Sequence, residues 1–233
     1  MVALSHPNSE VVAEFVGTFL FVLTIPLASI GIGSLAPIAI GFMLMSMVFS
    51  YGYISGGHFN PAVTFATVIT RHTSVAKFVR YTIAQVIAAI CASLYGTIIV
   101  GLDFPAPSTN NELLKIWQAL CAELVYTFAL ANVVLHVAYS RQRSNDFYGF
   151  AIGMAVLAAA FSVGGFTGGA FNPAVATGIQ LVRCFTGDCK PLVHVWLYWV
   201  APLGGAFLGG LLYNILDTVD RAQPNVQKIE NFH

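Results

Sequence analysis

Two short segments carry the residues best suited to chemistry in an otherwise apolar chain. The first reads Gly-Gly-His-Phe-Asn-Pro-Ala-Val over residues 56–63, and the second reads Gly-Gly-Ala-Phe-Asn-Pro-Ala-Val over residues 168–175. Seven of the eight positions are identical, and the step from Asn60 to Asn172 is 112 residues, close to half the chain. The sequence therefore contains an internal repeat whose polar centre is an Asn-Pro-Ala triplet.

The order Asn-Pro is a helix-start signal, because Asn caps free backbone N–H groups and Pro is tolerated at the first helical position. Each triplet is therefore predicted to begin a helix. The start of a helix carries roughly half a positive charge, which favours the lone pair of a neutral solute and repels a cation or an excess proton. The triplets are Asn60, Pro61 and Ala62, and Asn172, Pro173 and Ala174.

The residues around the asparagines extend this chemistry. An Asn side chain can hold the cap with its oxygen and donate a hydrogen bond to a passing water with its NH₂ group. Glycines permit irregular backbone, which is tolerated inside a membrane where it lines a cavity. The predicted sources of backbone carbonyl acceptors are Gly56, Gly57, His58, Gly168 and Ala170.

The composition of the 233 residues indicates the setting. Apolar residues make up 57% and charged residues 9%, whereas soluble domains carry about a quarter charged residues. The 10 basic and 10 acidic side chains balance, so nothing favours binding of nucleic acid. Four cysteines are too sparse for a disulfide-stapled module. The chain is predicted to be an integral membrane protein.

Six apolar stretches are long enough to cross a bilayer, which takes about 20 residues. Spanning segments must satisfy their own backbone, so these are predicted to be helices. Two further pieces, residues 61–69 and 173–181, would each reach only about 13 Å. The first stretch follows residues without Lys or Arg, so it is expected to remain as a span rather than act as a signal peptide. The six stretches are residues 11–30, 35–53, 81–102, 116–138, 147–163 and 193–215.

Each half of the chain thus contains three spans, with one motif after the second span. Three is odd, so the second half must be inserted upside down relative to the first, as an inverted repeat. The predicted fold is an all-α membrane protein with six transmembrane helices and two re-entrant half-helices that meet at mid-membrane. It forms a single channel domain over residues 1–233, with repeats at about 9–102 and 113–216 and a polar cytosolic tail at 217–233.

The basic residues predict the orientation. Seven of the ten Lys and Arg side chains lie on the side of the two termini, and basic residues favour the cytosol. Both termini are therefore expected to be cytosolic in a multi-pass arrangement. The sequence does not distinguish a plasma membrane from a vacuole-type membrane.

On these residues the chain resembles the aquaporin, or major intrinsic protein, family. The resemblance rests on the paired motifs, on Ala13-Glu14-Phe15, on Ser55-Gly-Gly-His58, on Ala84-Gln85 and on residues 198–203. It implies six tilted helices around one narrow pore per subunit, in a homotetramer within the lipid bilayer. It also implies that Asn60 and Asn172 are the central pore donors, and that water and small neutral solutes are the partners, with no cofactor.

The family resemblance also locates a second constriction. Counting from the motifs, its four positions fall on Ile40, Ala160, Gly169 and Val175, and the usual arginine is replaced by Val175. That substitution partly resembles the tonoplast intrinsic subgroup, from which Ile40 and Gly169 differ. Small apolar side chains predict a permissive channel for water, ammonia, urea, hydrogen peroxide and glycerol. The alternative is an aquaglyceroporin-type facilitator with little water flux, against which the pair Val175 and Ala176 argues.

Several polar residues have two interpretations. Glu14 and Glu123 lie within spans, where a carboxylate is costly, and are expected to anchor the re-entrant loops rather than relay protons. His58 is expected to be packed, with no metal site nearby. His72 is either a pH-sensitive gate or an ordinary solvated histidine. Cys184 and Cys189 form either a disulfide or two free thiols.

Two other functional classes are alternatives to a channel. A secondary transporter can also use inverted repeats and broken helices, but it usually places charged coupling residues at mid-membrane, where this chain offers Asn and backbone. An enzyme would need a nucleophile–base pair, a metal cluster or a phosphate loop, and the sequence shows none. The chain is therefore predicted not to be an enzyme.

Overall fold

The computed structural model describes residues 8–109 and 115–221, with side chains through residue 217. Its regular structure is helical. Short 3₁₀ turns at Gly33–Leu35 and Pro191–His194 precede the second and the last long helix. The α-helices are α1 Ser9–Gly31, α2 Ala36–Ser55, α3 Pro61–Ile69, α4 Val75–Val100, α5 Ile116–Ala138, α6 Tyr148–Thr167, α7 Pro173–Phe185 and α8 Leu197–Arg221.

Six of these helices, all except α3 and α7, are long and apolar enough to cross a membrane. This confirms the six predicted spans and the all-α class. Because consecutive spans cross in opposite directions, α1 begins and α8 ends at the same face, here named the terminal face. The opposite side is named the distal face. Residues 222–233 of the predicted tail lie outside the described part, and α8 continues past residue 217, where that tail was expected to begin.

Some helices extend beyond the predicted apolar stretches, because caps and not hydropathy set their ends. Helix α4 begins at Val75 instead of residue 81, since the Ser74 side chain accepts a hydrogen bond from the Lys77 N–H at 3.2 Å. Helix α6 runs to Thr167 rather than residue 163. Helix α7 runs to Phe185, so its 13 residues make it longer than the half-helix predicted over 173–181.

The helix contacts show the inverted repeat. In the first half α1 packs against α2 and α4, and in the second half α5 packs against α6 and α8. The halves are joined where α2 packs against α6. Each half-helix also packs against a spanning helix of the opposite half, α3 on α8 and α7 on α4. The position of each half-helix therefore depends on a spanning helix from the other half of the chain.

Glycines allow the closest of these approaches. Gly41 and Gly153 face each other where α2 meets α6, so that a Cβ on Gly153 would lie 2.6 Å from the Gly41 carbonyl oxygen. Where α7 meets α4, a Cβ on Gly178 would lie 2.5 Å from the carbonyl carbon of Ala89. Small residues at such crossings let helices in membranes gain close van der Waals contact.

We expect Gly153→Ala to lower the thermal unfolding midpoint of the purified protein in detergent. The added methyl group must displace the backbone of α2, and overpacking of this kind typically costs about 1–3 kcal/mol. Gly31→Ala is the matched control, because a Cβ at Gly31 would meet nothing within 4 Å. Equal midpoints for the two variants would contradict the assigned α2–α6 contact.

Candidate functional site

Each half-helix begins at the asparagine of its motif. The Asn60 side-chain oxygen accepts a hydrogen bond from the Ala62 N–H at 2.8 Å. The Asn172 oxygen accepts from the Ala174 N–H at 2.9 Å and from the Val175 N–H at 3.4 Å. Both asparagines have extended backbone and are followed by proline at the first helical position. The local sequence thus starts α3 and α7 by the same capping interaction.

The two helix starts are joined by a pair of crossed hydrogen bonds. The Asn60 NH₂ group donates to the Phe171 carbonyl oxygen at 2.9 Å, and the Asn172 NH₂ group donates to the Phe59 carbonyl oxygen at 2.9 Å. Sequence reasoning assigned both NH₂ groups to the passing solute and missed these carbonyl partners. Because an amide NH₂ carries two N–H donors, each asparagine keeps one N–H beyond the crossed bond.

The two phenylalanines hold an uncommon backbone conformation. Phe59 has φ of 49° and Phe171 has φ of 48°, both in the left-handed region. A bulky residue held there costs on the order of 1–3 kcal/mol, so surrounding contacts must fix it. The repeated Phe-Asn pair was the available signal, since the same residue precedes the asparagine in both motifs.

Glu14 fixes the first loop. This fully buried carboxylate accepts main-chain hydrogen bonds from the N–H of His58 at 2.9 Å and of Phe59 at 2.7 Å. Its oxygens also accept from the Ser55 hydroxyl at 2.6 Å and from the Gln85 amide at 2.8 Å. Four donors therefore compensate the loss of water around one buried charge.

Glu123 does the same for the second loop with fewer donors. It accepts from the N–H of Ala170 at 3.1 Å, from the N–H of Phe171 at 2.7 Å and from the Thr167 hydroxyl at 2.7 Å. Among the described contacts, no side-chain amide completes this set as Gln85 does for Glu14. The two halves are alike in geometry but unequal in the number of donors.

Tyrosines brace both loops from a neighbouring helix. The Tyr81 hydroxyl of α4 donates to the Ser55 carbonyl oxygen at 2.9 Å, and the Tyr198 hydroxyl of α8 donates to the Thr167 carbonyl oxygen at 2.6 Å. Both rings are fully buried. Sequence reasoning gave these tyrosines no role, although each lies on the third span of its repeat and could have been paired on that ground.

Both ring nitrogens of His58 are hydrogen-bonded, one to α3 and the other to the end of α5. The Thr64 hydroxyl donates to the Asn60 carbonyl oxygen at 3.0 Å, so His58 Nδ1, 3.1 Å from Thr64 Oγ1, is assigned as a donor. His58 Nε2 then accepts from the Tyr139 hydroxyl at 2.7 Å. Within the described ranges, no group of three His, Cys, Asp or Glu could hold a metal ion.

His72 lies apart from the motifs, in the turn after α3. Its side chain is exposed, its Nδ1 is 2.9 Å from the Thr70 hydroxyl, and its ring lies 4.9 Å from that of Tyr139. His72 does not contact the cavity described next. A gating role for His72 stays a prediction.

A cavity of about 680 Å³ lies within the helix bundle. It is lined by both motif asparagines and by all four positions assigned to the second constriction, namely Ile40, Ala160, Gly169 and Val175. Of the five residues expected to offer carbonyls, Gly57, His58, Gly168 and Ala170 line it and Gly56 does not.

The cavity wall is mostly apolar. None of the described residues that line it is Asp, Glu, Lys or Arg, and its polar side chains near the centre are His58, Asn60 and Asn172. Sequence reasoning missed one part of the wall, Pro105, Ala106 and Pro107 in the loop after α4. The described lining therefore offers fixed hydrogen-bond partners and electropositive helix starts, without a charged carboxylate, ammonium or guanidinium group.

Comparison with known proteins agrees with this geometry. The family described as Major intrinsic protein matches residues 3–213. The chain is 34% identical to Glycerol uptake facilitator protein-like 6 of Lactiplantibacillus plantarum, over 89% of this chain and 98% of that protein. It is 33% identical to Aquaporin-B of Dictyostelium discoideum, over 86% of this chain and 80% of that protein.

A solved structure shares the fold. The X-ray structure of the aquaglyceroporin from Plasmodium falciparum superposes with a TM-score of 0.71 at 22% identity, covering 87% of this chain and 95% of that chain. The family match over residues 3–213 agrees with the inverted repeat and with the two helix starts that meet at its centre. The chain belongs to the major intrinsic protein family, whose members are membrane channels and not enzymes.

Proposed function

We propose that this protein is a passive water channel that also passes ammonia, urea, hydrogen peroxide and glycerol through a wide, apolar filter. The observation that carries the proposal is the single cavity that touches both motif asparagines and all four filter positions. At the filter positions, a solute on this path meets no charged and no aromatic side chain. The passage is driven by the solute gradient alone.

The centre of the path excludes ions and protons. Helices α3 and α7 direct their amino ends toward each other, and the crossed bonds hold them together. Each end carries roughly half a positive charge, so a cation meets repulsion from both sides. The remaining N–H of Asn60 and of Asn172 donates to the oxygen of a neutral solute, and the carbonyls of Gly57, His58, Gly168 and Ala170 accept from it.

The filter sets the solute range by size. Val175 lies on the first turn of α7 and lines the cavity where the family usually places an arginine. Its partners Ile40, Ala160 and Gly169 offer no side-chain hydrogen-bond donor. The opening is therefore wider and less polar than a filter closed by a guanidinium group.

Glu14 and Glu123 act as structural anchors in this proposal. Each carboxylate holds the N–H of the phenylalanine whose carbonyl oxygen binds the opposite asparagine. The position of the central donors therefore depends on both carboxylates. Since their oxygens are occupied by these donors, they have no part in proton transport.

A second candidate function is an aquaglyceroporin-type facilitator with little water flux. The apolar wall favours it, because an apolar constriction can exclude water while a solute with a carbon backbone passes. The likeness to Glycerol uptake facilitator protein-like 6 points the same way. The two functions differ in one measurable quantity, the water permeability per channel.

The wider setting is proposed from the same residues. The terminal face is the cytosolic one, because it receives most of the Lys and Arg side chains. The chain forms one channel domain with a cytosolic carboxyl-terminal end beyond α8, and it assembles in the bilayer as a homotetramer with one pore per subunit. His72 on the cytosolic face is retained as a candidate gate.

Stopped-flow light scattering on proteoliposomes tests the solute range. We expect the protein to raise the permeability to water, urea, glycerol and ammonia above that of protein-free vesicles, with no proton conductance. Water flux without urea, glycerol or ammonia flux would contradict the wide filter. Glycerol flux without water flux would establish the second candidate instead.

We expect Val175→Arg to lower urea and glycerol permeability at least about tenfold, equivalent to a barrier increase of about 1.4 kcal/mol, while water permeability falls less. The guanidinium group narrows the filter and adds donors that suit water. Val175→Met adds bulk without charge and separates the effect of size from that of charge. Unchanged urea and glycerol permeability in Val175→Arg would rule out this position as part of the filter.

We expect Glu14→Gln to lower the thermal unfolding midpoint and the water permeability together. The new amide keeps one acceptor oxygen and turns N–H groups toward existing donors, so buried donors lose partners at a cost of about 2–4 kcal/mol. Glu10→Gln is the control on the same helix. It removes a partly exposed ion pair with Lys77, worth less than about 1 kcal/mol, and keeps an acceptor oxygen for the long 3.4 Å contact from the Tyr81 hydroxyl. A Glu14→Gln protein as stable as Glu10→Gln would refute the anchoring role.

A further inference from the structure

The described residues that follow α4 form part of the cavity wall. Residues 102–109, named here the entrance loop, contain no helix or strand. Pro105, Ala106 and Pro107 of this loop line the cavity together with Val175 and Gly169. Since proline has no N–H to donate, hydrogen bonds can hold Pro105 and Pro107 only through their carbonyl oxygens.

One such hydrogen bond comes from Gln180 on α7. The Gln180 amide donates a hydrogen bond to the Pro107 carbonyl oxygen at 2.7 Å, and the side chain is fully buried. A buried amide is unfavourable without a hydrogen-bond partner. Pro107 is the partner that the described contacts give to this NH₂ group, so Gln180 and the entrance loop are matched to each other.

Pro107 is also fitted against the second motif. A Cβ placed on Gly168 would lie 2.5 Å from the Pro107 Cα. Gly168 ends α6 with φ of 80°, a conformation that itself favours glycine. Pro107 is therefore held between Gln180 on one side and the backbone of the motif loop on the other.

Arg183 holds the outer part of the same loop. Its guanidinium group donates to the Leu102 carbonyl oxygen, lies 3.3 Å from the Asp103 carboxylate and sits 5.9 Å from the centre of the Phe104 ring. Arg183 does not line the cavity.

Cys184, the next residue along α7, forms a disulfide with Cys189. Of the two alternatives left open by the sequence, the structure thus has the disulfide.

Helix α7 thus carries both the filter residue Val175 and Gln180, which holds the entrance loop on the distal side of the filter. Val175 and Gln180 are five residues apart on α7, about 7.5 Å along the helix axis. A solute entering from the distal face passes the entrance loop before it reaches Val175. The spacing between these two constraints is set by the rigid geometry of α7.

We propose that Gln180 is a positioning residue for solute selectivity. By holding Pro107, it keeps Pro105–Pro107 against the cavity, where they restrict neutral solutes larger than water. The inference rests on the proposed function, because it takes the cavity to be the conduction path. The entrance loop then forms a second size limit, on the distal side of Val175. The wall of this second limit consists of backbone and proline rather than of a filter side chain.

The test compares Gln180→Leu with wild type in proteoliposomes by stopped flow. Leu keeps most of the volume and removes the donor, so the entrance loop moves away from the cavity more often. We expect the ratio of glycerol to water permeability to rise about fivefold, the change in equilibrium expected from one hydrogen bond. Gln142→Leu is the matched control on the exposed loop between α5 and α6, and its ratio should equal that of wild type.

A purely structural role for Gln180 would lower the amount of folded protein without changing this ratio. An unchanged ratio in folded Gln180→Leu, with a conducting wild type, overturns the proposal, as does an equal change in Gln142→Leu. If the wild type conducts neither water nor glycerol, the proposed function itself fails. Gln180→Met offers the same loss of donor with a more flexible side chain, should the Leu variant not fold.

Thiol labelling checks the wall independently of Gln180. We expect a methanethiosulfonate reagent, added to both sides, to reduce glycerol flux through Ala106→Cys and not through wild type. The wild type treated in parallel shows any effect of labelling the native thiols of Cys91 and Cys121. If labelled Ala106→Cys conducts glycerol as well as the unlabelled protein, the entrance loop does not border the path and the proposal is wrong.

Discussion

The structure depends on one reciprocal interaction, in which each motif asparagine binds the carbonyl oxygen that precedes the other. The bonds from Asn60 to Phe171 and from Asn172 to Phe59 have the same length, 2.9 Å. They join two helix starts that would otherwise repel each other, since both are electropositive. The repulsion between the two helix starts is thus built into the protein, and the crossed bonds offset it.

That interaction requires two phenylalanines in a left-handed conformation, and the glutamates supply the restraint. Each phenylalanine is held at its N–H by a carboxylate of its own half and at its carbonyl by an asparagine of the opposite half. In the first half, the Gln85 amide also donates a hydrogen bond to the Glu14 carboxylate. The second half uses its buried glutamine, Gln180, on the entrance loop. The two halves therefore share the restraint on the phenylalanines and differ in the side-chain contacts around it.

Much of the fold could be predicted from sequence because its signals are local. Apolar length predicts the six spans, Asn-Pro predicts the starts of α3 and α7, and an odd number of spans per repeat predicts the inversion. The buried positions of Glu14 and Glu123 follow from the cost of a carboxylate within a span. Helix ends are less predictable. The Ser74 cap begins α4 at Val75, so the helix includes Lys77 and Arg80, which a hydropathy pattern leaves outside the apolar stretch.

The contacts that sequence reasoning missed are those between segments far apart in the chain. The crossed bonds link residues 111 and 113 positions apart, and Gln180 reaches a loop 73 positions away. Backbone carbonyls are present at every residue, so no pattern of side chains indicates which one an amide will bind. The entrance loop was missed for the same reason, since prolines and an alanine have no chemistry that singles them out.

The seating of each half-helix on the opposite half has a consequence for biogenesis. A chain made from its amino terminus threads its first three spans into the bilayer while α8, the support of α3, and Asn172, the partner of Phe59, are still unmade. The first re-entrant segment therefore lacks these contacts until the second half has been synthesised. Translation of the last span, and not of the first motif, is the event that closes the pore wall.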